Sequence, residues 1–227
     1  MATGARPTDA PGWGLLSHWH DLIGRGDPRF GMLARVEEVG TVLDRMESSI
    51  QRRMWNLQRH WTIAALRDAV DADARFRGRG VDVRLVLPRR VAERRCPLAS
   101  SYDPTIRLAP VAHALMVWDD RQVIVGDATG ETVWTSTDPG VVDSAVRFYE
   151  GVWSAAEPAV PEGSEPPFTR RMVDIAIKLV DGATDREIAR SLGVSERTVS
   201  AELRELSRRL GAQSRAHVVA LVSGGDG

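Results

Sequence analysis

The chain ends in two short amphipathic stretches separated by a tight turn. Within residues 184–210, TDREIARSLGVSERTVSAELRELSRRL, Ile188, Ala189 and Leu192 share one helical face. Val199, Leu203, Leu206 and Leu210 share another. Thr184 with Glu187 three residues on spells a capping box, and Ser195 caps the following helix. Gly193, between them, suits the left-handed residue that ends a helix. The second helix carries small or basic residues on its other face: Arg197, Ser200, Ala201, Arg204, Arg208 and Arg209. A helix that packs on one side and presents small and guanidinium groups on the other fits a DNA major groove.

Upstream the pattern changes several times. Residues 1–31 are rich in Gly, Pro and small residues, with one denser amphipathic patch at 13–23 that predicts a short packed helix. His18 and His20 flank Trp19 there, a metal-pair spacing without a clearly spaced third ligand. Val36, Leu43, Ile50 and Leu57 lie seven residues apart, Val39 and Met46 fill intervening positions, and Met54 and Trp61 continue these after a one-residue slip. That repeat predicts one long helix over residues 35–61, either a dimerising coiled coil or a helix lying along the chain's own core. A second helix is expected over 61–77. Strands are expected at 81–87, 105–111, 113–118, 122–125 and 132–136, and a helix at 141–153. Helix, sheet and closing helix make an α/β layer. Residues 155–167, AAEPAVPEGSEPP, hold four prolines and read as a linker.

Composition refines this picture little. The net charge of −1 announces no nucleic-acid field, and from 168 to 227 ten Lys/Arg against eight Asp/Glu leave only +2. Pattern, not charge, carries the DNA-binding reading. A single cysteine, Cys96, excludes an internal disulfide framework and fits a reducing cytosol. Its neighbours Arg94 and Arg95 would suit a reactive thiol, the alternative being a plain structural cysteine. No run approaches the roughly 18 apolar residues of a membrane span. A cytoplasmic, nucleoid-associated protein without membrane contact is expected.

With its flanks included, residues 168–222 resemble the LuxR/FixJ-type (GerE-like) DNA-binding domain. The family's opening Thr-Pro-Arg-Glu appears as Thr169-Arg170-Arg171-Met172 after the apolar Phe168, and the glycine of its first turn is Gly182. Its Glu-Ile-Ala is Glu187-Ile188-Ala189, and its Leu-Gly-Ile-Ser-x-x-Thr-Val is Leu192 to Val199. Its Lys-Leu-Gly-x-x-Ser-Arg is Arg209 to Arg215. Met172 replaces the usual Glu, and Glu202 adds a negative charge to the recognition helix. The resemblance implies base-facing roles for Ser200, Ala201 and Arg204, with Arg204 suited to guanine. It implies phosphate contacts from Arg186, Arg197, Thr198, Ser214 and Arg215, and a DNA-facing or solvated Arg208. It further implies duplex DNA, a second copy of the chain and RNA polymerase as partners, with the last helix at a dimer contact.

A second stretch is similar to the phospholipase D superfamily. His113-Ala114-Leu115 followed by Asp119-Asp120 resembles the motif His-x-Lys-x4-Asp, and Arg79 to Arg84 and residues 141–153 look similar to its flanks. The same half-domain, with eroded catalytic residues, resembles the effector domain of TrmB-like regulators. The resemblance implies an α/β fold, a single phospholipase D-like α/β sandwich half with a preceding long helix. An all-α four-helix LuxR-type domain follows it at the C-terminal end. The expected organisation is a tail at 1–34, a long helix at 35–61, the α/β domain at 62–156, the linker at 157–167 and the helix-turn-helix domain at 168–224.

Chemistry separates enzyme from sensor. A phosphoryl transition state needs a cation beside its oxygens. Here Leu115 holds the lysine position, and no lysine occurs before Lys178. Asp127 follows Gly126 where the superfamily carries a Ser, placing a carboxylate in a phosphate's path. No catalytic residue, cofactor or metal is therefore expected. His113 is either a core histidine or, with Arg84 or Arg107, part of a pocket for a small polar or anionic effector. The reading is a dimeric, sequence-specific transcriptional regulator with a sensor or dimerisation domain. The alternatives are a ligand-independent regulator with an interaction module, or a phosphodiesterase tethered to DNA.

Overall fold

The structure, a computed structural model, describes residues 13–103, 105–127 and 129–224; the side chains of 70, 71 and 73 also lie outside the description. The amino-terminal part of the expected tail, residues 1–12, therefore falls outside it. Among the described residues the chain forms two compact units. One draws on residues 13–59, 72–88 and 107–157, the other on 60–71, 89–106 and 158–224.

The first unit is built on a mixed sheet in the order β1-β7-β6-β5-β2-β3-β4, with the two-residue β8 (Glu157–Pro158) at its end. Its strands are β1 (Gly31–Arg35), β2 (Arg53–Leu57), β3 (Asp82–Leu87), β4 (Arg107–Leu108), β5 (Leu115–Trp118), β6 (Gln122–Gly126) and β7 (Thr132–Ser136). β2 runs parallel to β3 and antiparallel to β5. One face buries Trp55, Leu57, Val86, Leu115, Val117, Val123 and Val125. They pack under α1 (Trp13–Gly24) and α5 (Pro139–Ala155). Asp138 starts α5 by accepting from the Gly140 and Val141 amides, with Pro139 in the first turn. The other face joins Trp118, Ile124 and Val133 to Ile50, Phe76 and Val81.

The expected long helix at 35–61 does not form. β1 reaches Arg35; α2 (Val39–Met46) and a 3-10 turn (Glu47–Ser49) follow, and β2 begins at Arg53. The seven-residue spacing is coincidental. Val39, Leu43 and Met46 line one side of α2 at helical spacing, whereas Ile50 and Leu57 are buried in two different cores. β2 is a central strand whose Trp55, Asn56 and Leu57 are all buried, so burial on both faces masks its alternation. The coiled-coil seam goes with the helix. Two further expectations need correction. The strand expected at 105–111 shrinks to β4, because Pro110 has no N–H for the ladder and Ala109 donates the last such bond, to the Leu87 carbonyl at 3.1 Å. His113 therefore precedes β5 instead of lying on a strand.

The second unit takes its helices from α6 (Arg170–Val180), α7 (Asp185–Leu192), α8 (Glu196–Leu210) and α9 (Arg215–Val222). These four helices are the all-α region expected. The unit also includes residues 60–71, the opening part of α3 (Ile63–Gly78), and residues 89–106 with a π-helical turn (Val91–Arg95) and α4 (Ala99–Tyr102). The chain passes from the first unit to the second at Glu157/Pro158, where the linker begins, and the second unit also draws on two earlier segments. Buried Ser101 accepts from the Phe168 amide at 2.9 Å, and Arg67 pairs with Asp181 at 2.9 Å. The Arg170 guanidinium lies 4.9 Å from the Tyr102 ring centre, and Arg95 donates to the Gly224 carbonyl at 3.1 Å. Cys96 is fully buried here, and burial pushes its thiol up to about 12, the opposite of a reactive thiolate.

Candidate nucleic-acid interface

Local chemistry fixes the helix pair α7–α8. The Thr184 side chain accepts from the Glu187 amide at 3.3 Å, and the Glu187 carboxylate accepts from the Thr184 amide at 2.8 Å, completing the box. Gly193 ends α7 at φ 65°, where a side chain would be strained. Ser195 caps α8 through the Thr198 amide at 3.1 Å, and Gly211 closes it at φ 68°. Ser214 then caps α9 through the His217 amide at 3.1 Å. Ile175, Ile188, Ala189 and Val199 form the core, with Leu192, Val194 and Leu203 against it. At the start of α6, Thr169 accepts from the Met172 amide at 3.2 Å. Met172 returns no bond as a glutamate would; it is buried in the core instead.

The opposite face of α8 is open. Arg197, Ala201, Arg204 and Arg208 are exposed, and Thr198 and Ser200 are half-buried. Arg186, Ser214 and Arg215 are exposed on the flanking turns. Glu202 does not join this face: it pairs with Arg171 of α6 at 3.5 Å, so its charge is directed away from the reading residues. The guanidinium groups differ in how free they are. Arg208 and Arg209 share Glu205, with three bonds of 2.6 to 2.7 Å that hold the Glu205 carboxyl down at about 2. Arg215 donates to Asp185 and to the Ala183 carbonyl. Arg204 gives its Nε to the Ser200 carbonyl at 3.2 Å. Among the described residues, the guanidinium groups of Arg186, Arg190 and Arg197 make no hydrogen bond or ion pair. Arg190 stands four residues after Arg186 on α7 and is exposed.

Of the residues singled out for an effector pocket in the first unit, Arg84 and Arg107 meet at the Trp153 ring, and His113 has other neighbours. Arg84 lies 4.5 Å from the Trp55 ring and 5.2 Å from that of Trp153, and it pairs with Asp82 at 2.9 Å. Arg107 lies 4.6 Å from the Trp153 ring and donates to the Trp153 carbonyl at 2.7 Å. His113 instead meets His20 edge to face, with ring centres 4.4 Å apart, and lies 6.4 Å from the Trp13 ring. His20 Nε2 is 2.8 Å from the Gly126 carbonyl. Burial, then repulsion from His20 and Arg59, lowers the His113 imidazole to about 4, so it is neutral at physiological pH. The motif acids have structural partners. Burial alone would raise the Asp119 carboxyl, yet amide donors from Arg53, Arg52 and Gln51 at 2.7–2.9 Å hold it below its usual range. Asp120 pairs with Arg53 at 3.0 Å. Leu115, at the lysine position, is wholly buried.

Two capped helices set at a glycine turn, the second with an open basic face, define a helix-turn-helix DNA-binding module. Residues 166–222 match the family model GerE, bacterial regulatory proteins of the luxR family, and this segment is a LuxR-type helix-turn-helix domain. No curated protein matches the chain. Among solved structures, the archaeal chromatin protein TrmBL2, described with a novel mode of DNA binding, is 13% identical with a TM-score of 0.45. That alignment covers 65% of this chain and 62% of TrmBL2. Nuc, a phospholipase D family member from Salmonella typhimurium, is 17% identical at a TM-score of 0.42, over 52% of this chain and 88% of its own. NucT from Helicobacter pylori is 14% identical at 0.43, over 57% and 96%. No helix among the described residues is long and apolar enough to cross a membrane.

Proposed function

We propose that the protein is a sequence-specific, dimeric transcriptional regulator that inserts α8 into the major groove of duplex DNA. The observation that carries this is the open face of α8, where Ala201 and Arg204 are exposed while Val199 and Leu206 hold the helix from behind. Ser200, Ala201 and Arg204 face base edges. Arg186, Arg197, Thr198 and Ser214 contact phosphates, joined by Arg190. RNA polymerase is the further partner such a regulator would have. The test is capture of genomic duplex fragments by the full chain, with affinity followed against salt. Recurrent fragments and a log-linear fall of affinity with salt support the reading. Equal retention of all fragments at every salt concentration contradicts it.

The first unit serves as a sensor or dimerisation unit without phosphodiesterase chemistry. The wholly buried Leu115 supplies no cation, and Asp119 is committed to three backbone amides. If an effector is used, the half-buried His113, with His20 and Arg59 beside it, suits a small anion better than Arg84 and Arg107, which are already engaged with tryptophan rings and protein oxygens. Hydrolysis of a generic phosphodiester that disappears in His113→Ala would contradict the loss of chemistry.

A further inference from the structure

Asp185 opens α7, and its carboxylate ties together three helices. Oδ2 accepts from the Ser200 hydroxyl of α8 at 3.2 Å. Oδ1 accepts from Nη1 of Arg215, the first residue of α9. The same guanidinium donates from Nη2 to the Ala183 carbonyl at 2.6 Å. Ser200 is half-buried on the reading helix, one position before the exposed Ala201.

A serine hydroxyl has one hydrogen and two lone pairs, so a free serine serves bases that donate and bases that accept. An ionised carboxylate only accepts. While Asp185 takes the hydrogen of Ser200, that hydroxyl offers lone pairs alone toward the groove. In the major groove the donors are the amino groups of adenine N6 and cytosine N4. Guanine O6 and N7 and thymine O4 accept.

We infer that Asp185 is a positioning residue that fixes Ser200 as a hydrogen-bond acceptor and thereby makes it select adenine or cytosine at the base it faces. This rests on α8 being the DNA-reading helix. The same carboxylate holds Arg215, so its guanidinium is a latch between α7 and α9 and not a phosphate contact. Asparagine at position 185 keeps the size of the side chain but brings an amide that donates to the Ser200 oxygen and releases its hydrogen. Asp185→Asn therefore shifts the preference toward guanine or thymine.

The experiment is selection from a pool of randomised duplexes by the full-length protein and by Asp185→Asn, Ser200→Ala and Arg215→Ala, with thermal melting of each. The wild type enriches adenine or cytosine at one position of the site, and Ser200→Ala flattens that position alone. Asp185→Asn moves it toward guanine or thymine. Arg215→Ala keeps the preference and weakens binding without lowering the slope of log affinity against log salt, whereas loss of a phosphate contact lowers that slope by about 1. A duplex whose selected base lacks its amino group binds the wild type about tenfold more weakly, a readout that needs no variant. A flattened profile in none of the positions for Ser200→Ala, an unmoved preference in a folded Asp185→Asn, or full affinity for the amino-free duplex overturns the inference. A wild-type protein that enriches nothing would instead remove the DNA-reading assignment itself.

Discussion

Arg204 and Arg208 show how much a residue's neighbours decide. Both are arginines on the exposed side of α8, yet Arg208 is clasped by Glu205 whereas Arg204 spends only its Nε on its own helix. Arg204→Ala is predicted to cost about 1–3 kcal/mol at one base position, relaxing preference there while the melting temperature holds. Arg208→Ala should change neither by a comparable amount; parallel binding curves on a selected site and its single-base variants check both. His113 makes a prediction of a different kind. Its native imidazole titrates at about 4 against an ordinary 6.5, so between those values the unfolded chain binds more protons. Stability attributable to this group therefore falls as pH drops from 6.5 toward 4 and returns on the way up. His113→Asn should flatten that part of the denaturant-midpoint profile, and an unchanged slope would contradict the burial described. The sequence exposed the arginines because helical spacing is local. It did not expose the contact of His113 with His20, which lies 93 residues away along the chain.

Elements fixed by neighbours within four residues were legible; those fixed across the sheet were not. Thr184, Glu187, Gly193 and Ser195 write the turn into the chain, and each takes the role its position implies. Thr184→Ala should lower the stability of this domain by about 1 kcal/mol, measured by denaturant unfolding, because one cap bond is lost. By contrast, the segment from Val36 to Leu57 satisfied a heptad pattern and became a helix, a 3-10 turn and a central strand. The partners that decide it, such as Val83 and Trp118 beside Met54, come from distant parts of the chain. Asp119 belongs to the same class. It was read as a degenerate catalytic acid, and it holds the entry to β2 by three amides. Asp119→Ala should cost roughly 1–3 kcal/mol by leaving three part-buried N–H groups without an acceptor. A loss below about 1 kcal/mol in denaturant unfolding would mean that water replaces the carboxylate.

For the whole molecule, the account joins a LuxR-type reading domain to an α/β unit whose sheet was foreseen in class and missed in its first third. The domain limits were also less legible than the helix-turn-helix. Residues 60–71 and 89–106 belong with the carboxy-terminal helices, and no local signal marks such an assignment. The central claim is that the open face of α8 meets DNA. Ala201 lies in the middle of that face, is exposed and is not a member of the domain's core, so Ala201→Glu is expected to add bulk and negative charge there without disturbing the fold. The deciding measurement is the affinity of the full-length wild type and of Ala201→Glu for genomic duplex fragments at low salt, alongside the melting curve of each. The account predicts that the variant melts like the wild type and no longer binds, and a variant that binds as tightly as the wild type would contradict it.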